Sequence, residues 1–197
     1  MEDENKLAAA FAAIDEANAH DPRKTEEDGV QQPYELVYGQ RMTARLASYA
    51  PAAAPPLQIA ARAQHLERWA IPRSDYPMNR VGYLTWRKDQ QARHARRAGE
   101  LLSPLGFSAQ TIDRVRFLLQ KKQLKRDADT QVLEDVICLV FLQDYAAEFA
   151  AQHTEEKVIS ILQKTWAKMS ERARSTALGL PLQAGVRAIM EKALADG

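Results

Sequence analysis

The sequence predicts an all-α protein, a compact multi-helix bundle forming one domain. Three observations carry this reading. Apolar residues recur at three- and four-residue spacing almost throughout the chain. The eight glycines and nine prolines fall mainly between such stretches. No segment shows a convincing strand signal. The periodicity places helices near 5–18, 34–49, 57–70, 82–102, 109–122, 130–151, 155–167 and 182–195, with a weaker turn or short helix around 170–178. Ser108 is placed to cap the helix at Ala109, Thr154 precedes Glu155 and Glu156 in a first turn, and Gly179 with Pro181 separates the last two helices. PAAAPP at 51–56 breaks one helix before the next. Residues 20–33, HDPRKTEEDGVQQP, lack periodicity and read as a polar loop, long enough to act as a lid or a mobile segment. Residues 34–151 form the expected core of this single domain over 1–197, and 152–197 the C-terminal helices.

At 197 residues and 46% hydrophobic content, the chain can bury roughly 70% of its unfolded surface without staples. The single cysteine, Cys138, sits in the apolar run VICLVFL, where a small core residue is favoured over a nucleophile and no intramolecular disulfide can form. The N-terminal stretch MEDENKLAAAFAAI is too short in its apolar part for a secretory or spanning segment. The expectation is a soluble, cytoplasmic protein with no membrane partner.

The net charge of +1 conceals a partition. Residues 1–30 carry nine acids and three bases, whereas residues 62–97 carry nine bases, eight of them arginine, and three acids. Within the basic part, Gln64 to Arg87 gathers His65, Arg68, Arg73, Arg80 and Arg87 with Trp69, Tyr76, Tyr83 and Trp86. A guanidinium fork suits a carboxylate or phosphate through paired hydrogen bonds, so the cluster points to an anion site; a structural network of ion pairs is the alternative.

Three further groups of residues bear on chemistry. In LEDVICLVFLQDY, Glu134 and Asp135 precede seven apolar residues, so this helix is a central one and at least one carboxylate should face the interior or a cleft. A buried carboxylate needs a cation, and His65 and the arginines are the candidates. His65 shares a helix side with Arg62 and Trp69, and His94 follows Trp86 and Gln90 on one stripe; both histidines could equally be structural. Glu35, Tyr38, Arg41 and Arg45 form a polar stripe that is either a solvated face or, if it meets the His65 helix, part of a site. There is no HExxH, cysteine cluster, glycine-rich phosphate loop or GxSxG, which argues against a P-loop nucleotidase, an α/β hydrolase and a dinucleotide enzyme.

PYELVYGQRM, AARAQHLERWAIPR, YPMNRVGYLTWR and QVLEDVICLVFL, in this order between about Asp21 and Phe149, resemble the family called domain of unknown function 4202, which implies no particular activity. More distantly, AARAQHLERW and LEDVICL resemble two helices of the HD superfamily of metal-dependent phosphohydrolases. That resemblance implies an HD-like fold, with His65 and Asp135 as ligands of a divalent metal. The chain departs from the HD pattern at Leu66, where the paired aspartate would stand, and at Tyr38, Gly39, Gln40 and Arg41, where a first histidine is expected. His94, Glu67 or Glu35 would have to replace the missing ligands.

These readings converge on a helical protein holding a phosphorylated small molecule or nucleotide. Glu35, Tyr38, Arg41, Arg68, Arg73, Arg87 and His94 would line the ligand, and Trp69 or Trp86 would stack on a base. In the catalytic version, a metal held by His65 and Asp135 would activate water, with Glu134 as general base. A non-catalytic anion- or nucleotide-binding module is the alternative. RNA binding through residues 62–97 is a second. The sequence sets no oligomeric state.

Overall fold

The computed structural model describes residues 2–27 and 29–195. Its elements in chain order are α1 (Glu2–Ala19), β1 (Lys24–Glu27), β2 (Val30–Pro33), α2 (Tyr34–Tyr49), α3 (Pro55–Arg62), α4 (Arg80–Leu102), α5 (Ala109–Leu119), α6 (Ala128–Val140), α7 (Ala146–Ala151), α8 (Glu155–Lys168), α9 (Glu171–Leu178) and α10 (Ala184–Ala195). Short 3-10 turns cover Arg68–Ala70, Arg73–Asp75 and Ser103–Leu105, and a π-turn covers Phe141–Tyr145. The protein is all-α apart from one small hairpin. Two compact units divide the chain, one ending at Thr130 and the other beginning at Gln131.

In the first unit, α4 packs along α5, α3 lies against α2 and α5, and α1 touches α2, α3 and α4. Ile14, Met42, Leu46, Leu57, Ile59, Leu66, Leu102, Leu118 and Leu119 are almost fully buried. Helices α2 and α3 approach so closely that a Cβ at Gly39 would stand 2.8 Å from the Arg62 carbonyl oxygen. In the second unit, α8 packs on α10 and α7 touches both. Cys138 is buried there as a free thiol, as a core residue should be.

The capping signals act as read. Ser108 accepts from Thr111 N at 3.1 Å and Thr154 from Lys157 N at 3.4 Å; Asn79 and Ser170 do the same for α4 and α9. No helix among the described residues is long and apolar enough to cross a membrane.

The structure corrects the sequence at three places. Residues 24–33 are not an irregular loop but an antiparallel hairpin, pairing Lys24 with Pro33 and Glu27 with Val30. Its strands are four residues long and largely exposed, so no alternation marks them. Gly29, at φ 77°, supplies the left-handed turn residue. The expected helix 57–70 ends at Arg62 and continues as tight turns, with Glu67 left-handed at φ 50°. Tertiary contacts overrule its helix-forming composition: Asn18 Oδ1 takes the Glu67 N–H at 2.9 Å, and the Glu67 carboxylate is held by Arg93 (2.8 Å) and Arg97 (3.1 Å) of α4. The expected helix 130–151 is interrupted by the π-turn.

Candidate functional site

A connected polar array is built in the first unit from both ends of the hairpin and from the turn after α3. Tyr34 opens α2 directly after β2, which brings Glu35 into the first turn with its side chain 1% exposed. Asp21, buried just before β1, accepts from the Glu35 N–H at 3.1 Å and from the Arg23 guanidinium, whose Nη2 also reaches Glu35 Oε1 at 2.6 Å. The other carboxylate oxygen, Glu35 Oε2, faces His65 Nδ1 at 3.1 Å. On the far side of the ring, Arg68 Nη1 stands 2.6 Å from His65 Nε2.

These contacts define the protonation of His65. A guanidinium can only donate, so Nε2 accepts and the single ring proton lies on Nδ1, where it donates to Glu35. His65 is therefore neutral. Burial lowers its pKa first and Arg68 adds to this; together they outweigh Glu35 and bring it to about 4. For Glu35, burial would raise the pKa, but His65, Arg23 and Arg68 prevail and hold it at about 2. At neutral pH the imidazole carries no charge, so the carboxylate is then stabilised by the Nδ1–H bond and by the two guanidiniums. Tyr38 stacks on the imidazole with centroids 3.9 Å apart, yet 21% of the His65 side chain stays exposed. Lys121, in the turn after α5, adds positive charge close enough to lower the His65 pKa further. That turn holds three left-handed non-glycine residues, Lys121, Gln123 and Lys125.

Behind the array, His94 of α4 donates from Nδ1 to the Leu66 carbonyl at 2.8 Å, with its ring centroid 6.4 Å from that of His65. Burial, then the neighbouring His65, lowers its pKa to about 3. Arg68 lies over the Trp86 ring at 4.7 Å, and Trp86 donates to the Ile71 carbonyl. The three buried side-chain atoms without a hydrogen-bond partner among the described residues are Gln64 Oε1, Gln90 Oε1 and Arg93 Nε. All belong to this turn or to the part of α4 bonded to it.

The structure thus brings together Glu35, Tyr38, His65, Arg68, Trp86 and His94, six of the residues singled out in the sequence. Others are committed elsewhere. Arg41 pairs with Glu27. Arg73 clasps the carbonyls of Tyr76, Pro77 and Asn79, and Arg87 lies over the Tyr83 ring at 5.8 Å. Trp86 is only 7% exposed, with Arg68 over its ring, which leaves little face for a base. Trp69 makes no hydrogen bond or ring contact among the described residues. Asp21 and Arg23 were missed because they lie in the aperiodic stretch before the hairpin.

Glu134 and Asp135 lie in the second unit, both buried. Asp135 accepts from Gln131 Nε2 at 2.9 Å, Ser170 N at 2.8 Å and Ser170 Oγ at 2.5 Å, which ties the start of α9 to α6. Glu134 faces Lys168 at 3.5 Å. A water-sized apolar cavity in this unit, bordered by Leu142, Leu162 and Trp166, has no titratable lining.

The residues present do not fit a divalent metal. Arg68 covers the lone pair of His65, Asp135 is engaged by three protein donors, and no group of three or more His, Cys, Asp or Glu among the described residues could hold an ion.

No curated protein and no solved structure matches the chain. A family model described as Domain of unknown function (DUF4202) matches residues 8–190, which takes in both the array around His65 and the helix carrying Glu134 and Asp135. The chain belongs to the DUF4202 family.

Proposed function

We propose that the protein binds a phosphorylated small molecule or nucleotide, with the phosphate received by Arg68 beside the exposed edge of His65. One observation carries this reading. Arg68 is held in a fixed pose between the Trp86 face and His65 Nε2, yet makes no ion pair among the described residues, whereas Arg23, Arg41, Arg62, Arg93 and Arg97 each have a carboxylate. An oriented guanidinium lacking an anion, beside a part-exposed imidazole and near Lys121, suits a phosphate oxygen.

The test is thermal unfolding and calorimetry with inorganic phosphate, pyrophosphate and a nucleoside mono-, di- and triphosphate panel. A ligand present at about 100 times its Kd stabilises by about 2.7 kcal/mol, a shift of roughly 5–10 °C for a chain of this size. Arg68→Gln should abolish that shift, and Arg41→Gln should leave most of it. Absence of stabilisation by every compound, or full binding by Arg68→Gln, would overturn the reading. The HD-like hydrolysis implied by the resemblance of AARAQHLERW and LEDVICL depends on a divalent metal that these residues do not fit, so the proposal is one of binding. Phosphate release measured across the same panel is expected to be absent.

A further inference from the structure

Six large apolar side chains are exposed among the described residues, and four of them, Met78 (81%), Val81 (72%), Tyr83 (45%) and Leu84 (51%), fall within seven positions. Residues 77–81 and 83–85 are all exposed, so the start of α4 and the loop before it form one continuous solvent-facing tip of the first unit. The tip is rigidly built. Arg73 gathers the carbonyls of Tyr76, Pro77 and Asn79, Asn79 caps the helix through the Gly82 N–H at 2.8 Å, and a Cβ at Gly82 would meet the Pro77 oxygen at 2.1 Å. Exposure of Met78 and Val81 is therefore a property of an ordered surface.

The charge around the tip is mainly positive. Residues 76–88 contain Arg80, Arg87 and Lys88, and of the two flanking acids, Asp75 and Asp89, the latter is engaged by the Tyr76 hydroxyl at 2.8 Å. Arg80 and Lys88 make no ion pair among the described residues, and Arg87 contacts only the Tyr83 ring. Elsewhere in the basic segment Arg62 is neutralised by Asp15, Arg93 and Arg97 by Glu67, and Arg96 by Glu100, while Arg73 is taken up by backbone carbonyls and Arg68 by His65. Spacing places Val81, Leu84 and Lys88 on one helix face, with Arg80 and Arg87 beside it.

We propose that this tip docks the protein on the surface of an anionic lipid bilayer. Met78, Val81 and Leu84 enter the boundary between headgroups and acyl chains, and Arg80, Arg87 and Lys88 face the lipid phosphates. A protein partner of ordinary affinity needs about 800 Å² from each side, with hollows to receive anchors, and a single exposed turn supplies neither. Nucleic acid would be read through several open aromatic faces, whereas here Trp86 is buried and Tyr83, with Arg87 over one face, is the one exposed ring in this turn. Three exposed aliphatics beside three cations without a carboxylate partner match an interface that is apolar inside and negative outside. The contact is independent of what binds at Arg68.

The experiment is co-sedimentation of the full chain with vesicles of phosphatidylcholine alone and of phosphatidylcholine containing about 30% phosphatidylserine, at low and high salt. Binding to the anionic vesicles is expected to exceed that to the neutral ones by about tenfold or more and to fall with salt. The triple variant Met78→Gln, Val81→Gln, Leu84→Gln, all at exposed positions, should lose about tenfold in partitioning with its thermal unfolding unchanged. Arg80→Gln, Arg87→Gln, Lys88→Gln should remove the preference for phosphatidylserine. Three results would overturn the proposal: no preference for anionic vesicles; undiminished binding by the apolar variant; or wild-type self-association or single-stranded RNA binding that the same variants abolish, with no vesicle partitioning.

Discussion

Buried neutral histidines make the first unit sensitive to acid, and His94 shows it best. The perturbation is a fall in pH from 8 to 4.5, applied to wild type and to His94→Gln, in which the amide can still donate to the Leu66 carbonyl. His94 has a folded pKa of about 3 and His65 of about 4, both depressed from the 6.5 usual for histidine. Below pH 6.5 the unfolded chain binds more protons than the folded one, so stability rises with pH and is lost as pH falls from 6.5 toward the folded values. At about 1.4 kcal/mol per pKa unit, each histidine costs roughly 2.5 kcal/mol by pH 4.5, about 5 kcal/mol together. Glu35 acts in the same direction but later: its depressed pKa contributes stability that is present above 4.5 and lost as pH falls toward about 2. The combined slope is about 2.7 kcal/mol per pH unit between pH 6 and 4.5, against a typical total of about 5–15 kcal/mol. The assay is urea unfolding followed by the fluorescence of Trp69 and Trp86 in a Trp166→Phe background. His94→Gln should retain about half the slope. A wild-type curve that is flat between pH 7 and 5, or an equal slope in the variant, would refute the burial of a neutral His94.

Two further predictions concern packing. Asp135→Ala leaves the Ser170 N–H and hydroxyl without their acceptor and should destabilise the second unit by about 1–3 kcal/mol, read by denaturation with Trp166 as the probe. Gly82→Ala would ordinarily favour a helix by up to about 1 kcal/mol, but the Pro77 oxygen stands in the way. The variant should instead lose about 1–3 kcal/mol in thermal unfolding, and a gain in Tm would show that the loop yields.

The helices were legible where local signals and tertiary packing agree. Helix α2 begins and ends where the periodicity places it, and Ser108 and Thr154 cap as their neighbours imply. The turn around His65 was misread because its residues favour a helix and only remote partners, Asn18, Arg93 and Arg97, stop it. The hairpin escaped notice because its strands are too short and too exposed to alternate. At the site, residue type revealed Glu35, Tyr38, His65 and Arg68. Asp21 and Arg23 stayed hidden because their link to Glu35 spans 14 and 12 positions, a separation with no local signature. Trp86, expected from its aromaticity to offer a stacking face, is buried beneath Arg68, since burial is not written in a side chain's residue type.

Glu67 sits between His65 and Arg68 in sequence, and its left-handed backbone and doubly held carboxylate have a mechanical meaning. Arg68, which we propose takes a phosphate, and His65 beside it ride on a turn whose position is set by α1 through Asn18 and by α4 through Arg93 and Arg97. Separating His65 from Arg68 by a backbone movement would break that fork, so the pair behaves as a fixed gauge: a ligand must match its spacing, and one that does not gains nothing by adaptation of the turn.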